Sequence, residues 1–299
     1  MNQDKIEFRK VRDFGGLLNV TFDYIKKNFK VLFKSNLFIS APAILLAGVF
    51  LGIYQSSMFN FGSISEIERI GFPFLLSMFF MMLAYLIIMA VTYSHLIVYK
   101  QSEYGMFDIN DVWKVTKRNF FNILFTGIGY TLILGFIGAI SIGIGIYFTF
   151  QGIYVFIFLV FVGIGLLIYL TINFSLIFII RLEEGIGFFD AIRRSKKLIS
   201  ENWWFTFGLI IVVGIIQGFL TYALYIPTYI VMFFTTFAGF ESGTNDLTRI
   251  IFIVTSIITS LSVLFYMISA IATAFQYYNL VERKEAPGLL HQIENINKE

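Results

Sequence analysis

The chain has 299 residues, 58% apolar, 19% aromatic and only 14% charged, with a mean hydropathy of +0.79, against roughly 25% charged residues in an average soluble domain. A water-soluble fold is excluded, because its surface would need charged side chains spread along the chain, and here they are confined to a few segments. With no cysteine and only two histidines, His95 and His291, thiolate and multi-histidine metal sites, disulfide frameworks and thiol redox chemistry are excluded as well.

A bilayer core of about 30 Å needs about 20 apolar residues as helix. Five charge-free stretches meet that length, at 35–65, 70–99, 119–180, 202–240 and 250–281, and the third is long enough to cross twice, turning near Gln151 and Gly152. The pattern predicts six spanning helices over 33–54, 72–98, 120–149, 153–180, 203–235 and 250–280. The first 34 residues are charged throughout and carry no apolar run of the signal-peptide kind, so the first hydrophobic helix is expected to insert and stay.

Twenty of the 22 basic residues fall in the segments up to and including Lys34, from Lys100 to Arg118, from Arg181 to Lys197, and after Val281. Only Arg69 and Arg249 lie in the alternate loops. The positive-inside rule then places both termini in the cytoplasm of a multi-pass protein of the plasma (inner) membrane. Trp113, Trp203 and Trp204 all fall at that same interface, as an aromatic belt would place them. The net charge of +3 needs no nucleic acid to explain it, since the basic groups are juxtamembrane and mixed with acids.

An internal repeat is present. Phe14 to Phe33, Phe107 to Phe125 and Phe188 to Phe207 each open with phenylalanine and pass through a basic cluster. Each then reaches Asn followed by an aromatic residue: Asn28 and Phe29, Asn119 and Phe120, Asn202 and Trp203. Each copy has helical amphipathicity and leads into a pair of spans, which predicts three parallel units over 14–98, 107–180 and 188–280, followed by a tail at 281–299 that includes Pro287 and Gly288. The amphipathic segments are expected to lie at the cytoplasmic surface with their basic faces toward lipid phosphates. Acids precede bases in the second and third copies, as the helix dipole favours.

Within the third unit, Gly185 to Val212 reads GIGFFDAIRRSKKLISENWWFTFGLIIV. The string resembles the membrane-domain family of glycerophosphoryl diester phosphodiesterases through Ala191, Arg193, Arg194, Ser195, Trp203 and Trp204. The resemblance covers the six-helix region and implies a multi-helix membrane domain, sometimes fused to a soluble phosphodiesterase barrel. No segment of this sequence has the length or the acid and histidine content of that barrel, so phosphodiesterase activity is not expected to carry over.

No ionisable residue falls in the core of a predicted span, which disfavours proton- or sodium-coupled transport and intramembrane proteolysis. His95, near one end of the second span beside Tyr93 and Tyr99, reads as a histidine bonded to a neighbour, since no acid or nucleophile has a defined spacing to it. Small residues recur every fourth position at Gly127, Thr131, Gly135, Ala139 and Gly143, with Gly48 and Gly52 and Gly214 and Gly218 repeating the pattern, so close helix packing is expected. Gln217, Thr221, Tyr225, Thr259 and Gln276 mark the last two spans as the most polar, and a polar cavity there competes with interhelical hydrogen bonding; Pro227 should kink or terminate the fifth helix.

The cluster Arg193, Arg194, Lys196 and Lys197, with Lys117 and Arg118 in the second copy, is the candidate surface for acidic lipids or for a partner protein, weighed against a plain topological anchor. The sequence thus predicts an all-α membrane module without cofactor or metal that binds at its cytoplasmic rim. The alternative is a carrier or scramblase-like path for an amphiphile, and no catalytic set is evident.

Overall fold

The computed structural model describes residues 5–58, 67–102, 107–148, 152–237 and 246–286. Every regular element among them is helical, as long apolar runs with few breakers dictate. In chain order these are α1 (Phe14–Met58), α2 (Ile67–Gln101), α3 (Ile109–Phe148), α4 (Ile153–Phe174), α5 (Ile177–Glu184), α6 (Phe188–Ile199), α7 (Trp203–Phe237), α8 (Asp246–Ser260) and α9 (Tyr266–Glu285). They compose six helical spans long and apolar enough to cross a membrane, four of them overlapping a single long helix or its extension and the fourth and sixth built from two pieces. The fourth joins α4 to α5 through a turn at Ser175 and Leu176, and the sixth joins α8 to α9 through a 3-10 segment, Leu261–Phe265.

Gly152 adopts φ 127°, a left-handed conformation that suits glycine, immediately before α4, where the turn between the third and fourth spans was expected. Gln151, the polar tail with Pro287 and Gly288, and His291 lie outside the described residues. Pro227 does not terminate the fifth span: α7 runs through it to Phe237.

α1 and α3 rise about 67 Å and about 60 Å over their 45 and 40 residues, twice a bilayer core. The segments that the sequence reads as first and second copies of a repeat are therefore continuous with the helices that follow them, because no glycine or proline interrupts Leu17 to Phe33 or Ile109 to Thr126. Asn28 is absorbed by donating its Nδ2 to the Tyr24 carbonyl at 2.9 Å. Only the third copy stands apart, with α6 separated from α7 by a 3-10 turn, Ser200–Asn202.

The best-packed part of the bundle is the end that carries the basic clusters. α9 is its strut, almost wholly buried from Ala270 to Glu282, and Leu17, Tyr24, Met89, Tyr93, Leu96, Ile177 to Ile180, Leu198 and Ile199 close around it. Away from that end the α3–α4 hairpin exposes Leu132, Phe136, Phe158 and Phe161, surfaces suited to lipid tails.

The small-residue pattern divides by partner. A Cβ on Gly48 or Gly52 would lie 2.6 or 2.4 Å from the Ile257 or Ile253 Cα, so α1 and α8 touch backbone to backbone there. A Cβ on Gly127 would strike Leu86. Gly135, Gly143, Gly214 and Gly218 have no such neighbour among the described residues, so the expected stripe is not packed along its whole length; toward the far end of the third span the close approach is to α4, where a Cβ on Gly163 would lie 2.9 Å from the Ser141 Cβ.

Candidate functional site

At the basic end, residues 5–13 run without helix across the mouth of the bundle. Phe8 is buried in a cage of Tyr24, Tyr99, Phe275 and Tyr278, at ring distances of 5.1–6.3 Å. The Arg12 amide donates to the Asn279 Oδ1 at 2.8 Å, and Arg283 donates to the Arg12 carbonyl at 2.8 Å. Beneath the cage, His95 is fully buried with its Nδ1 2.6 Å from the Tyr24 hydroxyl and its Nε2 without a partner among the described residues. The neighbour expected for this histidine is therefore Tyr24, 71 residues away in sequence, rather than Tyr93 or Tyr99.

α6 follows an extended Gly187 and carries Asp190 in its first turn and Lys196 and Lys197 in its last, the order the helix dipole favours. Ala191, Ser195, Leu198 and Ile199 are buried, and the Ser195 hydroxyl donates to the Asn173 carbonyl of α4 at 2.6 Å. On the opposite side Arg193, Lys196 and Lys197 are exposed, and Phe189, one turn before Arg193, keeps 69% of its surface open. Trp204 is likewise exposed at the start of α7. An outward face that combines cations with large apolar rings suits an interface between water and lipid.

Arg194 is not part of that face. Its Nε donates to both Glu184 carboxylate oxygens at 3.0 and 3.1 Å, and its terminal nitrogens form a fork with Glu285 at 2.5 and 2.9 Å. Glu184 also accepts from the Tyr277 hydroxyl at 2.9 Å, while Glu183 accepts from Tyr278 at 2.6 Å and pairs with Lys100. This network ties α5, α6 and α9 together, with the Arg194 side chain only 20% exposed. Lys117 and Arg118 lie exposed on α3, Lys117 with its ammonium 5.2 Å from the Trp113 ring centre.

The polar residues of the last two spans are drawn into pairs. The Gln217 Oε1 accepts from Ser269 at 2.6 Å, and Thr259 bonds Thr228 at 2.8 Å. Gln276 donates to Thr206 at 2.8 Å and accepts from Asn279 at 3.2 Å. Thr221 is part-exposed, and the ring of Tyr225 rests against Tyr229 at 5.9 Å. None of these five lines the cavity that the bundle does contain.

That cavity, about 140 Å³, lies where α2, α3, α4, α7 and α9 meet. Its walls are apolar at Met89, Phe174, Leu209 and Val213, and carry the hydroxyl groups of Tyr85, Tyr130, Thr171, Ser175, Tyr266 and Thr273. Ser175 comes from the α4–α5 turn and Tyr266 is the first residue after the 3-10 segment, so both interruptions of the spans adjoin it. Irregular backbone at membrane depth is tolerated where it is buried in protein or lines a cavity. The Ser175 Oγ is buried without a partner among the described residues.

Sequence reasoning passed over Arg181, the first charge after the 62-residue uncharged stretch. Its guanidinium donates to the Asn122 carbonyl at 3.0 Å and to the Thr126 hydroxyl at 2.5 Å, and its Nε is buried with no partner among the described residues. The adjacent carboxylates, Glu183 and Glu184, are engaged by Lys100 and Arg194, so Arg181 has no ion-pair partner among the described residues.

The architecture and composition are those of an all-helical, multi-pass membrane protein. Comparison with protein-family models, with curated proteins and with solved structures gives no match for the chain.

Proposed function

We propose that the protein is a non-enzymatic membrane module whose basic end faces the cytoplasm and binds acidic lipid headgroups there. The observation that carries this reading is the outward face of α6, where Arg193, Lys196 and Lys197 stand exposed beside Phe189 while the other side of the helix is buried in the bundle. Each cation near an anionic leaflet contributes about 1 kcal/mol, so three select acidic from neutral lipid by about two orders of magnitude. Three parallel units, each an amphipathic segment followed by two spans, supply such a face from α1, α3 and α6 in turn. The resemblance of Gly185 to Val212 to the phosphodiesterase membrane domains agrees with a membrane module. A partner protein docking on the same face is a competing occupant.

Titration of detergent-solubilised protein with phosphatidylglycerol and with phosphatidylcholine, followed by native mass spectrometry, tests the proposal. Wild type should take up phosphatidylglycerol preferentially, and a variant with Arg193, Lys196 and Lys197 all changed to Ala should lose the preference. Equal uptake of both lipids by wild type would overturn it. The second reading, a path for an amphiphile through the bundle, is favoured by one observation, the hydroxyl-bearing cavity beside two interrupted spans.

A further inference from the structure

The geometry points to a site for one phosphate-headed, single-chain amphiphile, with the phosphate at Arg181 and the hydrocarbon chain running into the cavity behind it. The inference rests on the proposed orientation of the bundle and extends that reading from the outer face of α6 to a built site between helices.

Two rows of residues lead from the basic end to the cavity. Along α3, Arg118, Asn122, Thr126 and Tyr130 recur at every fourth position and so share one face. Along the opposing strand of the bundle, Arg181, Phe178 and Ser175 recur at every third position across α5 and the turn before it. The rows meet twice: Arg181 binds Asn122 and Thr126, and one turn deeper the ring of Phe178 lies 6.1 Å from that of Tyr130. Phe178, Tyr130 and Ser175 are themselves cavity wall. The guanidinium thus sits about one helical turn, some 5 Å, from the cavity along the helix axis.

The chemistry of this arrangement is specific. A guanidinium held by a carbonyl and a hydroxyl, both neutral, retains its full charge, and the nearest acids in the sequence are engaged elsewhere. Its buried Nε is a donor without an acceptor among the described residues, and a phosphate oxygen supplies one in the forked geometry that guanidinium favours. Arg118, exposed one turn nearer the basic end on the same α3 face, adds a second cation suited to a dianion. A cavity of about 140 Å³ is close to the engineered voids of about 150 Å³ that hold a benzene ring, and it accepts the proximal part of one hydrocarbon chain rather than two. Headgroup at the basic end and chain toward the membrane centre is also the orientation of a lipid in the cytoplasmic leaflet.

The test uses the full chain in neutral detergent, with 18-carbon lysophosphatidic acid as the probe and binding read by native mass spectrometry and by a shift in thermal unfolding. Monoacylglycerol and glycerol 3-phosphate serve as the chain-only and headgroup-only arms. Wild type and the Arg193, Lys196 and Lys197 to Ala variant should bind the probe equally. Arg181→Gln should weaken binding at least tenfold, Arg181→Lys should restore part of it, and Ala272→Leu, which fills the cavity wall from α9, should weaken it while the protein still unfolds cooperatively. Undiminished binding by Arg181→Gln would overturn the inference, as would displacement of the probe by equimolar glycerol 3-phosphate or by equimolar monoacylglycerol. Loss of probe binding in the α6 variant alone would place the phosphate on the outer face and overturn this site while sustaining the proposed function. Loss of the phosphatidylglycerol preference in wild type with probe binding intact would do the reverse.

Discussion

Arg193 and Arg194 are neighbours in sequence with opposite surroundings. Arg193 is 81% exposed and meets Asp190 at 3.5 Å across one helical turn, a surface pair that contributes about 0.3–0.5 kcal/mol. Arg194 holds two carboxylates in a largely covered network, and its removal deprives Glu184 and Glu285 of the guanidinium they share. Truncating one partner of a fully buried pair costs about 3–5 kcal/mol, and partial solvent access reduces that to about 2–3 kcal/mol here. Arg194→Ala should therefore lower the thermal unfolding midpoint in detergent clearly, whereas Arg193→Ala should leave it within a degree or so; equal effects would contradict this division. The buried Tyr24 and His95 pair gives a second expectation. Tyr24→Phe leaves both ring nitrogens of His95 unsatisfied and should destabilise by about 1–3 kcal/mol, measured by the same unfolding assay. The sequence marked the four cations of the cluster but not their division, because the acids that claim Arg194 lie 10 and 91 residues away and reach it only through the fold.

Among the elements, hydropathy located the spans closely because it is a local property: the expected 72–98 lies within α2, and the expected 203–235 nearly coincides with α7. The breaks inside the fourth and sixth spans were not legible, since neither Ser175–Leu176 nor Leu261–Phe265 contains a glycine or proline to announce them. Nor does small-residue spacing name a partner. Gly48 and Gly52 meet α8, while a Cβ on Gly135 or Gly143, with the same spacing to their neighbours, would meet nothing within 4 Å among the described residues. Gly52→Val should force α1 and α8 apart and sharply lower stability, because the obstructing atoms are backbone. Gly135→Val should be nearly neutral in unfolding midpoint. The amide groups of Gln217 and Gln276 behave as interhelical ties, through Ser269 and Thr206, and neither lines the cavity.

At the level of the whole molecule, charge is segregated along the bundle axis. The basic clusters, the Phe8 cage and the carboxylate network all gather at one end, and the cavity lies inward of it. The absence of cysteine makes the proposed orientation directly measurable: Lys10→Cys and Glu201→Cys should react with an impermeant maleimide only after inside-out conversion of the membrane vesicles, and Asp246→Cys should react without it. Length and hydropathy carried the six spans, whereas the proposed lipid-facing role of the basic end depends on which cations remain exposed once the helices pack. The most direct measurement is native mass spectrometry of the protein extracted from its own membrane, comparing wild type with the variant in which Arg193, Lys196 and Lys197 are Ala and Arg194 is kept. Acidic lipid retained by wild type and lost from a correctly inserted, stably folded variant is the result predicted here. The same lipids, in the same amounts, on both proteins would contradict recognition at the basic face of α6.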